Sequence, residues 1–301
     1  MAITYVSIAY GDFYREKAVR GLCNSFSLSG TPGKLIVYFD FLPAWAPPEG
    51  CVFKILPEAI QHRVKTSDRS FFALTSVKFD ILDIEAGATT NGVCWIDADA
   101  LVLTDLSKVL EEGKINVVSH GSCDPEEIFD CGKGVVVKGK AFAIGGIFYL
   151  PRKELVENLL ELAAERSSWP EDKTAYWYSD GEQCLLNHIV AANQEEVVWI
   201  DDSGYIANWA FLEKRHPYPF DKGINKIRIV DDQFFCESKQ FAVLSWSSLT
   251  LRRHIKQGFR SMNPATARYL RQKFYIQGNS LKEVFMQYLY TIYDFFNLKI
   301  R

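Results

Sequence analysis

The sequence has few of the features that mark several common classes of protein. No two cysteines are spaced as CxxC, and the seven cysteines, an odd number, are scattered at positions 23, 51, 94, 123, 131, 184 and 236. This pattern excludes a small disulfide scaffold and predicts free thiols in a reducing compartment. No uninterrupted apolar run reaches the roughly 18 residues that a membrane-spanning helix needs, so none is expected.

The beginning of the chain also lacks the marks of a secretory signal. The segment MAITYVSIAYGDF has no basic n-region and no small-residue cleavage site, and its composition indicates a strand. The 301 residues are 48% hydrophobic and contain no repeat or low-complexity tract, which excludes disorder and collagen. A chain of this length buries a core without disulfide or metal staples. We therefore expect a globular, cytoplasmic protein.

Strands and helices alternate along the first 250 residues. The strands are predicted at 2–9, 34–40, 51–56, 93–97, 115–119, 135–137 and 143–150, and the helices at 14–28, 68–84, 105–111, 152–166 and 180–193. This order predicts an α/β fold with a mostly parallel mixed sheet flanked by helices. Residues 264–301 are expected to form two further helices, as an appendage to one main domain.

The most informative segment is Asp97-Ala98-Asp99, which ends one apolar run and precedes another. In extended geometry the two carboxylates project from one face, and they repel each other unless a cation or a donor lies between them. Mg²⁺ or Mn²⁺ fits because such ions take oxygen ligands, and the small Ala98 leaves room for a ligand. The alternative is that the pair only caps a following helix. The flanking Trp-Ile and Leu-Val-Leu favour a metal site.

This segment resembles the DxD region of GT-A-fold glycosyltransferases, especially the family 8 type that includes glycogenin and bacterial lipopolysaccharide galactosyltransferases. Other marks follow in the same order over residues 3–260. The first βα unit is similar to the one that holds the nucleotide base in that family, which implies this role for Ala9, Tyr10 and Asp12. The segment from Ala143 to Leu150 resembles the strand near the donor sugar and places Gly145 and Gly146 there, with Ile144 where Asn is usual.

The resemblance also extends to the second half of the chain. Residues 180–187 are similar to a segment whose acidic and amide side chains lie against the reacting carbon of the donor sugar, which implies catalytic roles for Asp180, Glu182 and Gln183. Capping of a helix N-terminus is the alternative for the two acids. Residues 254–260 are similar to a family motif with a metal-binding His and a diphosphate-binding Lys, with one residue inserted before the Gly. This similarity implies His254 as a third metal ligand, with a solvated histidine in a basic stretch as the alternative. It places Gly258 at the donor and gives the diphosphate contact to Lys256 or Arg260.

Two further basic residues, Arg69 and Lys78, precede the DxD segment on a predicted helix. Contact with the donor phosphates and an ordinary surface salt bridge are both open interpretations of these residues.

The net charge of −3 conceals two regions of opposite charge. Residues 238–282 contain nine basic side chains and no acidic one, which leaves −12 for the rest of the chain. Aromatic residues are interleaved with this basic segment. Four interpretations compete: a diphosphate clamp, peripheral contact with an anionic membrane surface, a nucleic-acid patch, and a solvated helical face. Nucleic acid is the weakest, because no RNA- or DNA-binding motif occurs.

These features lead to one functional hypothesis. Residues 1–250 are expected to form a GT-A-like, nucleotide-sugar-binding catalytic domain, and residues 251–301 a basic, aromatic-rich helical segment packed on it. The resemblance implies a hexosyltransferase that uses Mn²⁺ or Mg²⁺ and transfers a sugar from a UDP-sugar to a glycan, lipid-linked or protein acceptor, with retention of configuration. The alternatives are a phosphatase-type metal-dependent hydrolase, because Asp-x-Asp also serves aspartyl-phosphate chemistry, and a non-catalytic sugar-nucleotide-binding protein of the same fold.

Overall fold

A seven-stranded mixed sheet organises the chain. A computed structural model describes residues 3–12, 14–66, 70–120, 126–179, 181–207, 227–236 and 238–245 together with Lys273. The strands of this part are β1 (Ile3–Ala9), β2 (Gly33–Phe39), β3 (Cys51–Ile55), β4 (Val93–Ile96), β5 (Ala100–Val102), β6 (Ile115–Ser119), β7 (Ile128–Asp130), β8 (Val136–Lys138), β9 (Ala143–Leu150), β10 (Val197–Trp199), β11 (Tyr205–Ile206), β12 (Ile227–Val230), β13 (Gln233–Cys236), β14 (Lys239–Phe241) and β15 (Val243–Ser245).

The order of strands in the large sheet is β10-β6-β9-β4-β1-β2-β3. Neighbouring strands run parallel except for β9, which is antiparallel to both β4 and β6. Parallel strands are covered by helices on both faces, so they need continuous apolar runs. In β2 all five residues from Leu35 to Phe39 are buried, as this rule requires. The predicted mostly parallel mixed sheet is confirmed.

The α-helices of the described ranges flank this sheet. They are α1 (Val19–Ser29), α2 (Glu58–Thr66), α3 (Ser70–Ala86), α4 (Lys153–Glu165), α5 (Tyr176–Ser179) and α6 (Gly181–Ala192). A short π-helix, Tyr14–Ala18, leads into α1. Helix α3 packs against β1, β4 and α4, and α6 packs against β9. Because β4 and β9 are neighbours in the sheet, α3 and α6 bring their side chains to the same place.

Three smaller sheets occur beside the large one in the part of the chain that the structure describes. Strands β11, β14, β13 and β12 form one of them, β7 pairs with β8, and β15 pairs antiparallel with β5. The last pairing matters for the site, because β5 begins immediately after Asp99. In its register Ser245 lies opposite Ala100, so β15 ends beside the DxD segment.

Most of the predicted elements agree with the structure, and the differences are local. The helix predicted at 105–111 is wrong: only a 3-10 turn, Leu106–Lys108, occurs there. The carboxylate of Asp105 accepts hydrogen bonds from both N–H and Oγ of Ser107, which fixes a tight turn and leaves no regular helix. The strand predicted at 135–137 corresponds to β8, whereas helix α2, strand β10 of the large sheet and the other short strands of the smaller sheets were not predicted. The helices expected at 264–301 lie outside the described residues.

Within the described ranges, no helix is both long and apolar enough to cross a lipid bilayer.

Candidate active site

The candidate site lies at one edge of the large sheet. Strands β1, β2 and β4 run parallel, so the residues that follow them meet at the edge formed by their carboxyl ends. Asp40 follows β2 and Asp97 follows β4. Because β9 runs the other way, it begins at this edge, and the backbone N–H of Asp97 donates to the carbonyl of Gly146 at 2.9 Å. The carboxyl edge is where open α/β sheets bind ligands.

The segment Asp97-Ala98-Asp99 forms a turn between β4 and β5. The N–H of Ala100 donates to the carbonyl of Asp97 at 3.1 Å. The expectation of extended backbone through this segment is therefore wrong, because the chain must reverse to enter β5. The turn gives the two carboxylates different surroundings: the side chain of Asp97 is 35% exposed, whereas Asp99 is 3% exposed.

Asp97 is held by two neighbours. The indole Nε1 of Trp95 donates to its Oδ1 at 2.6 Å, and the ammonium Nζ of Lys78 lies 3.9 Å from the same oxygen. Loss of solvent raises the pKa of Asp97, and so does the negative charge of Glu182, whereas Lys78 and the hydrogen bond from Trp95 lower it. The carboxylate is thus oriented but remains accessible.

Asp99 is less well satisfied. Its Oδ2 is buried and has no hydrogen-bond partner among the described residues. Burial raises the pKa of Asp99 well above its ordinary value, and the nearby charge of Asp97 raises it further. A buried carboxylate without a partner is unfavourable unless it is protonated or lies against a cation. A bound cation would therefore stabilise the ionised carboxylate of Asp99.

Lys78 links the turn to Glu182, the acid at the start of α6. Lys78 is 5% exposed, and its Nζ lies 4.0 Å from Oε1 of Glu182 and donates to the carbonyl of Gly145 at 3.3 Å. A Cβ on Gly145 would come within 3.1 Å of this ammonium and within 3.5 Å of Cγ of Gln183. The absence of a side chain at Gly145 therefore lets Lys78 and Gln183 approach β9.

Asn187 fixes α6 beside β9. Its amide oxygen accepts from the N–H of Ala143 at 2.8 Å, and its Nδ2 donates to the carbonyl of the same residue at 2.8 Å. The helix begins at Gly181, where a Cβ would lie only 1.9 Å from the guanidinium carbon of the buried Arg166. Glycine is thus required for this close contact. The two contacts set the position of Glu182 and Gln183.

The predicted nucleotide-binding residues lie at the end of β1. Ala9 is buried, Tyr10 is half-buried, and Asp12 is exposed and paired with Arg15. Burial raises the pKa of Tyr10, as does the charge of Asp40.

Arg15 and Asp40 were missed by sequence reasoning. A guanidinium nitrogen of Arg15 lies 3.1 Å from Oδ1 of Asp40, and the N–H of Gly11 donates to Oδ2 of the same carboxylate at 3.1 Å. The signal that could have found Asp40 is its place directly after the buried run of β2.

Tyr14 is a further residue that sequence reasoning missed. Its pKa is raised by burial and by the charges of Asp99 and Asp97, so the phenol lies close to the DxD turn and keeps its proton. Tyr14 belongs to the short π-helix that follows β1. It therefore connects the end of β1 to the two carboxylates.

Several predicted site residues lie outside the described residues and stay predictions. They are Arg69, Asp180, His254, Lys256, Gly258 and Arg260. The described residues bring together Lys78, Asp97, Ala98, Asp99, Gly145, Gly146, Glu182 and Gln183 at one edge, with Ala9, Tyr10 and Asp12 on the adjacent strand.

No match to this chain is found among family models or among curated proteins. The geometry of the carboxyl edge and the sequence motifs are therefore what indicates a function.

A divalent metal ion is compatible with the donors at this edge, although they do not form a complete ligand set. In the part of the chain that the structure describes, no group of three or more His, Cys, Asp or Glu side chains is arranged to hold a metal. The turn supplies two carboxylates, and the orphaned oxygen of Asp99 is a free donor of the kind that Mg²⁺ and Mn²⁺ prefer. The residues present fit such an ion with two protein ligands and open positions for others.

Proposed function

We propose that this chain is a metal-dependent glycosyltransferase of the GT-A fold, similar to family 8, which transfers a hexose from a UDP-sugar to a glycan, lipid-linked or protein acceptor with retention of configuration. The observation that carries the proposal is the buried carboxylate of Asp99, whose free oxygen lies in a turn at the carboxyl edge of the sheet. Such an oxygen is unfavourable for folding and useful for binding a cation.

The charges around the turn support a polyanionic ligand that arrives with a metal. Asp97, Asp99 and Glu182 carry three negative charges when ionised, and Lys78 carries one positive charge. The edge is therefore anionic, and a diphosphate alone would be repelled by it. A metal–diphosphate pair would be accepted, because the ion neutralises both the carboxylates and the phosphates.

Asp97 and Asp99 are the residues that would hold the metal, with His254 as the predicted third ligand. When bound, the ion supplies positive charge that stabilises the departing diphosphate. Lys256 or Arg260 is proposed to contact the diphosphate, with Gly258 at the donor. Glu182 and Gln183 would face the donor sugar, because α6 brings them beside Gly145 and Lys78.

The nucleoside is proposed to lie along the end of β1. Tyr10 offers an aromatic ring next to the backbone of Gly11, and Asp12 and Asp40 offer carboxylates that accept hydrogen bonds from a ribose or a base. Arg15 holds both carboxylates at this position. Peripheral contact of residues 251–301 with an anionic membrane stays a prediction, because that segment lies outside the described residues apart from Lys273.

A thermal-shift screen tests this proposal. Uridine, guanosine and adenosine diphosphates and their sugar conjugates would be compared with and without Mn²⁺, because a ligand that binds the native state stabilises it by about 2.7 kcal/mol at one hundred times its dissociation constant. We expect UDP and one UDP-sugar to raise the melting temperature only with Mn²⁺. No shift with any sugar nucleotide, together with Mg²⁺-dependent hydrolysis of p-nitrophenyl phosphate, would instead identify a phosphatase.

A further inference from the structure

Lys78 is a buried cation that ordinary packing does not explain. It lies on α3 between Val77 and Phe79, which are both fully buried, and its own exposure is only 5%. A buried ammonium loses its hydration and is tolerated only where other groups compensate for that loss. The groups around its Nζ therefore indicate the role of the charge.

The compensating groups come from three different elements. Asp97 follows β4 and lies 3.9 Å from Nζ, Glu182 lies in α6 at 4.0 Å, and the carbonyl of Gly145 in β9 accepts a hydrogen bond at 3.3 Å. The ring of Trp95, whose centre is 5.3 Å away, adds a cation–π contact. The ammonium is thus the point at which the DxD turn, β9 and α6 meet.

These contacts leave little space around the ammonium for a phosphate. The side chain of Lys78 is 7% exposed, and even a Cβ on Gly145 would come within 3.1 Å of Nζ. The carbonyl of Gly145 belongs to the backbone of β9, so a phosphate oxygen could not replace it without moving that strand. The phosphate would have to displace one of the two carboxylates, which are the groups that the proposed reaction needs.

The charges of Asp97 and Glu182 indicate the role of Lys78. Asp97 and Glu182 lie 3.9 and 4.0 Å from the same Nζ, so when both are ionised they are close enough to repel each other. A single ammonium about 4 Å from each acid attracts both, so it fixes their separation. Without it, the two side chains would move apart.

We propose that Lys78 is a positioning residue, which holds the carboxylates of Asp97 and Glu182 in a fixed relation and does not bind the donor diphosphate. This role rests on the proposed function, since it matters because one acid would hold the metal and the other would face the sugar. It extends the proposal by joining two elements, α6 and the DxD turn, through a third, α3.

The first part of the test measures how strongly Lys78 and Glu182 interact in the protein without any ligand. Urea unfolding of wild type, Lys78→Met, Glu182→Gln and the double variant gives the coupling between the two side chains. We expect a coupling of about tenfold or more in the unfolding constant. The control is the exposed pair Lys153 and Glu157, whose Nζ and Oε1 lie 2.7 Å apart, with the matched substitutions Lys153→Met and Glu157→Gln. Its coupling should be about twofold.

The second part measures UDP affinity by calorimetry in saturating Mn²⁺, and the geometry around the ion from the electron paramagnetic resonance spectrum of the Mn²⁺–UDP complex. For Lys78→Met we expect UDP affinity within about threefold of wild type, because no phosphate contact is lost. Its Mn²⁺ spectrum should differ from that of wild type, because Asp97 is no longer held. Lys78→Arg keeps the charge but is larger, so it should bring the spectrum part of the way back towards that of wild type.

The possible failures are distinguishable. If wild type binds no UDP in the presence of Mn²⁺, the proposed function is wrong and the positioning role is wrong with it. If wild type binds UDP but Lys78→Met binds it more than about tenfold more weakly, Lys78 is a phosphate ligand and only the positioning role is overturned. An unchanged Mn²⁺ spectrum in Lys78→Met, or a coupling no larger than that of the control pair, overturns the positioning role as well.

Discussion

Helix α3 contributes one buried charged residue, Glu85 or Lys78, to each of two ionic clusters, and the clusters differ in how closely their charges are paired. Glu85, which is 3% exposed, accepts hydrogen bonds on one oxygen from Oη of Tyr38 and Nζ of Lys54, both at 2.5 Å. Lys78, seven residues earlier and so on the same face of the helix, lies 3.9 to 4.0 Å from its two acids. We call Glu85, Tyr38 and Lys54 the closed cluster. The open cluster consists of Lys78, Asp97, Asp99 and Glu182.

The charge balance separates the two clusters further. The closed cluster has one carboxylate and one ammonium, so it is neutral. The open cluster, with Asp97, Asp99, Glu182 and Lys78, has an excess of two negative charges when all its groups are ionised. The closed cluster stabilises the contact of α3 with β2 and β3. The unbalanced negative charge of the open cluster lowers stability but favours the binding of a cation, as is common at functional sites.

The largest effect on stability is expected in the closed cluster. Glu85→Gln removes the charge that two short hydrogen bonds share, so the free energy of unfolding should fall by about 3 kcal/mol. The measurement is urea unfolding. UDP binding in Mn²⁺ should be retained, because the described hydrogen bonds of Glu85 go to Tyr38 and Lys54, which lie outside the candidate site. Loss of UDP binding in a folded Glu85→Gln variant would break the distinction between the clusters.

A smaller loss is expected when only one donor is removed from Glu85. Tyr38→Phe deletes one hydrogen bond to the carboxylate and leaves Lys54 in place, so the free energy of unfolding should fall by about 1.5 kcal/mol. The same unfolding measurement checks this value. A loss equal to that of Glu85→Gln would mean that Lys54 contributes nothing to the closed cluster.

Crowding around Lys78 can be tested with one methyl group. Gly145→Ala introduces a Cβ 3.1 Å from Nζ, so the ammonium must shift by a few tenths of an ångström, and we expect a loss of about 1 kcal/mol in the free energy of unfolding. Gly87→Ala is the matched control, because Gly87, like Gly145, has no positive φ and a Cβ there would meet only ordinary contacts at 3.5 Å or more. If Gly145→Ala were neutral in stability and left the Mn²⁺ spectrum unchanged, Lys78 would have more freedom than its contacts indicate.

The smallest effect on stability is expected at Asp99, although its effect on function should be large. Asp99→Asn removes a buried charge whose Oδ2 has no described partner, so the free energy of unfolding should fall by no more than about 0.5 kcal/mol and can rise. Urea unfolding beside Glu85→Gln gives the contrast directly. A loss as large as that of Glu85→Gln would show that Asp99 is structural.

Much of the fold could be predicted from the sequence because its signals are local. The run from Ala143 to Leu150 was predicted with the bounds that the structure has, and α4 and α6 differ from their predicted bounds by one residue at each end. The short strands β11 to β15 could not be predicted, because two to four residues carry no periodic pattern and their pairing depends on distant segments. The helix predicted at 105–111 was wrong because the side chain of Asp105 accepts a hydrogen bond from the N–H of Ser107, which stabilises a turn in place of a helix.

The candidate site was predictable in its residue types and not in its contacts. The carboxyl ends of strands identified Asp97 and Asp99, but the turn that buries one and exposes the other depends on β5 pairing with β15, more than a hundred residues away. Lys78 was recognised as a cation near the DxD segment. Its position between Asp97 and Glu182 follows from α3 and α6 packing on neighbouring strands, which no local pattern contains.

Calorimetric titration of UDP into wild type and Asp99→Asn, each with and without Mn²⁺, tests the central claim most directly. We expect that UDP binds wild type only with Mn²⁺, and that Asp99→Asn weakens this binding at least about a hundredfold, which corresponds to about 2.7 kcal/mol. Equal UDP affinity in the two proteins, or the same affinity with and without Mn²⁺, would contradict it.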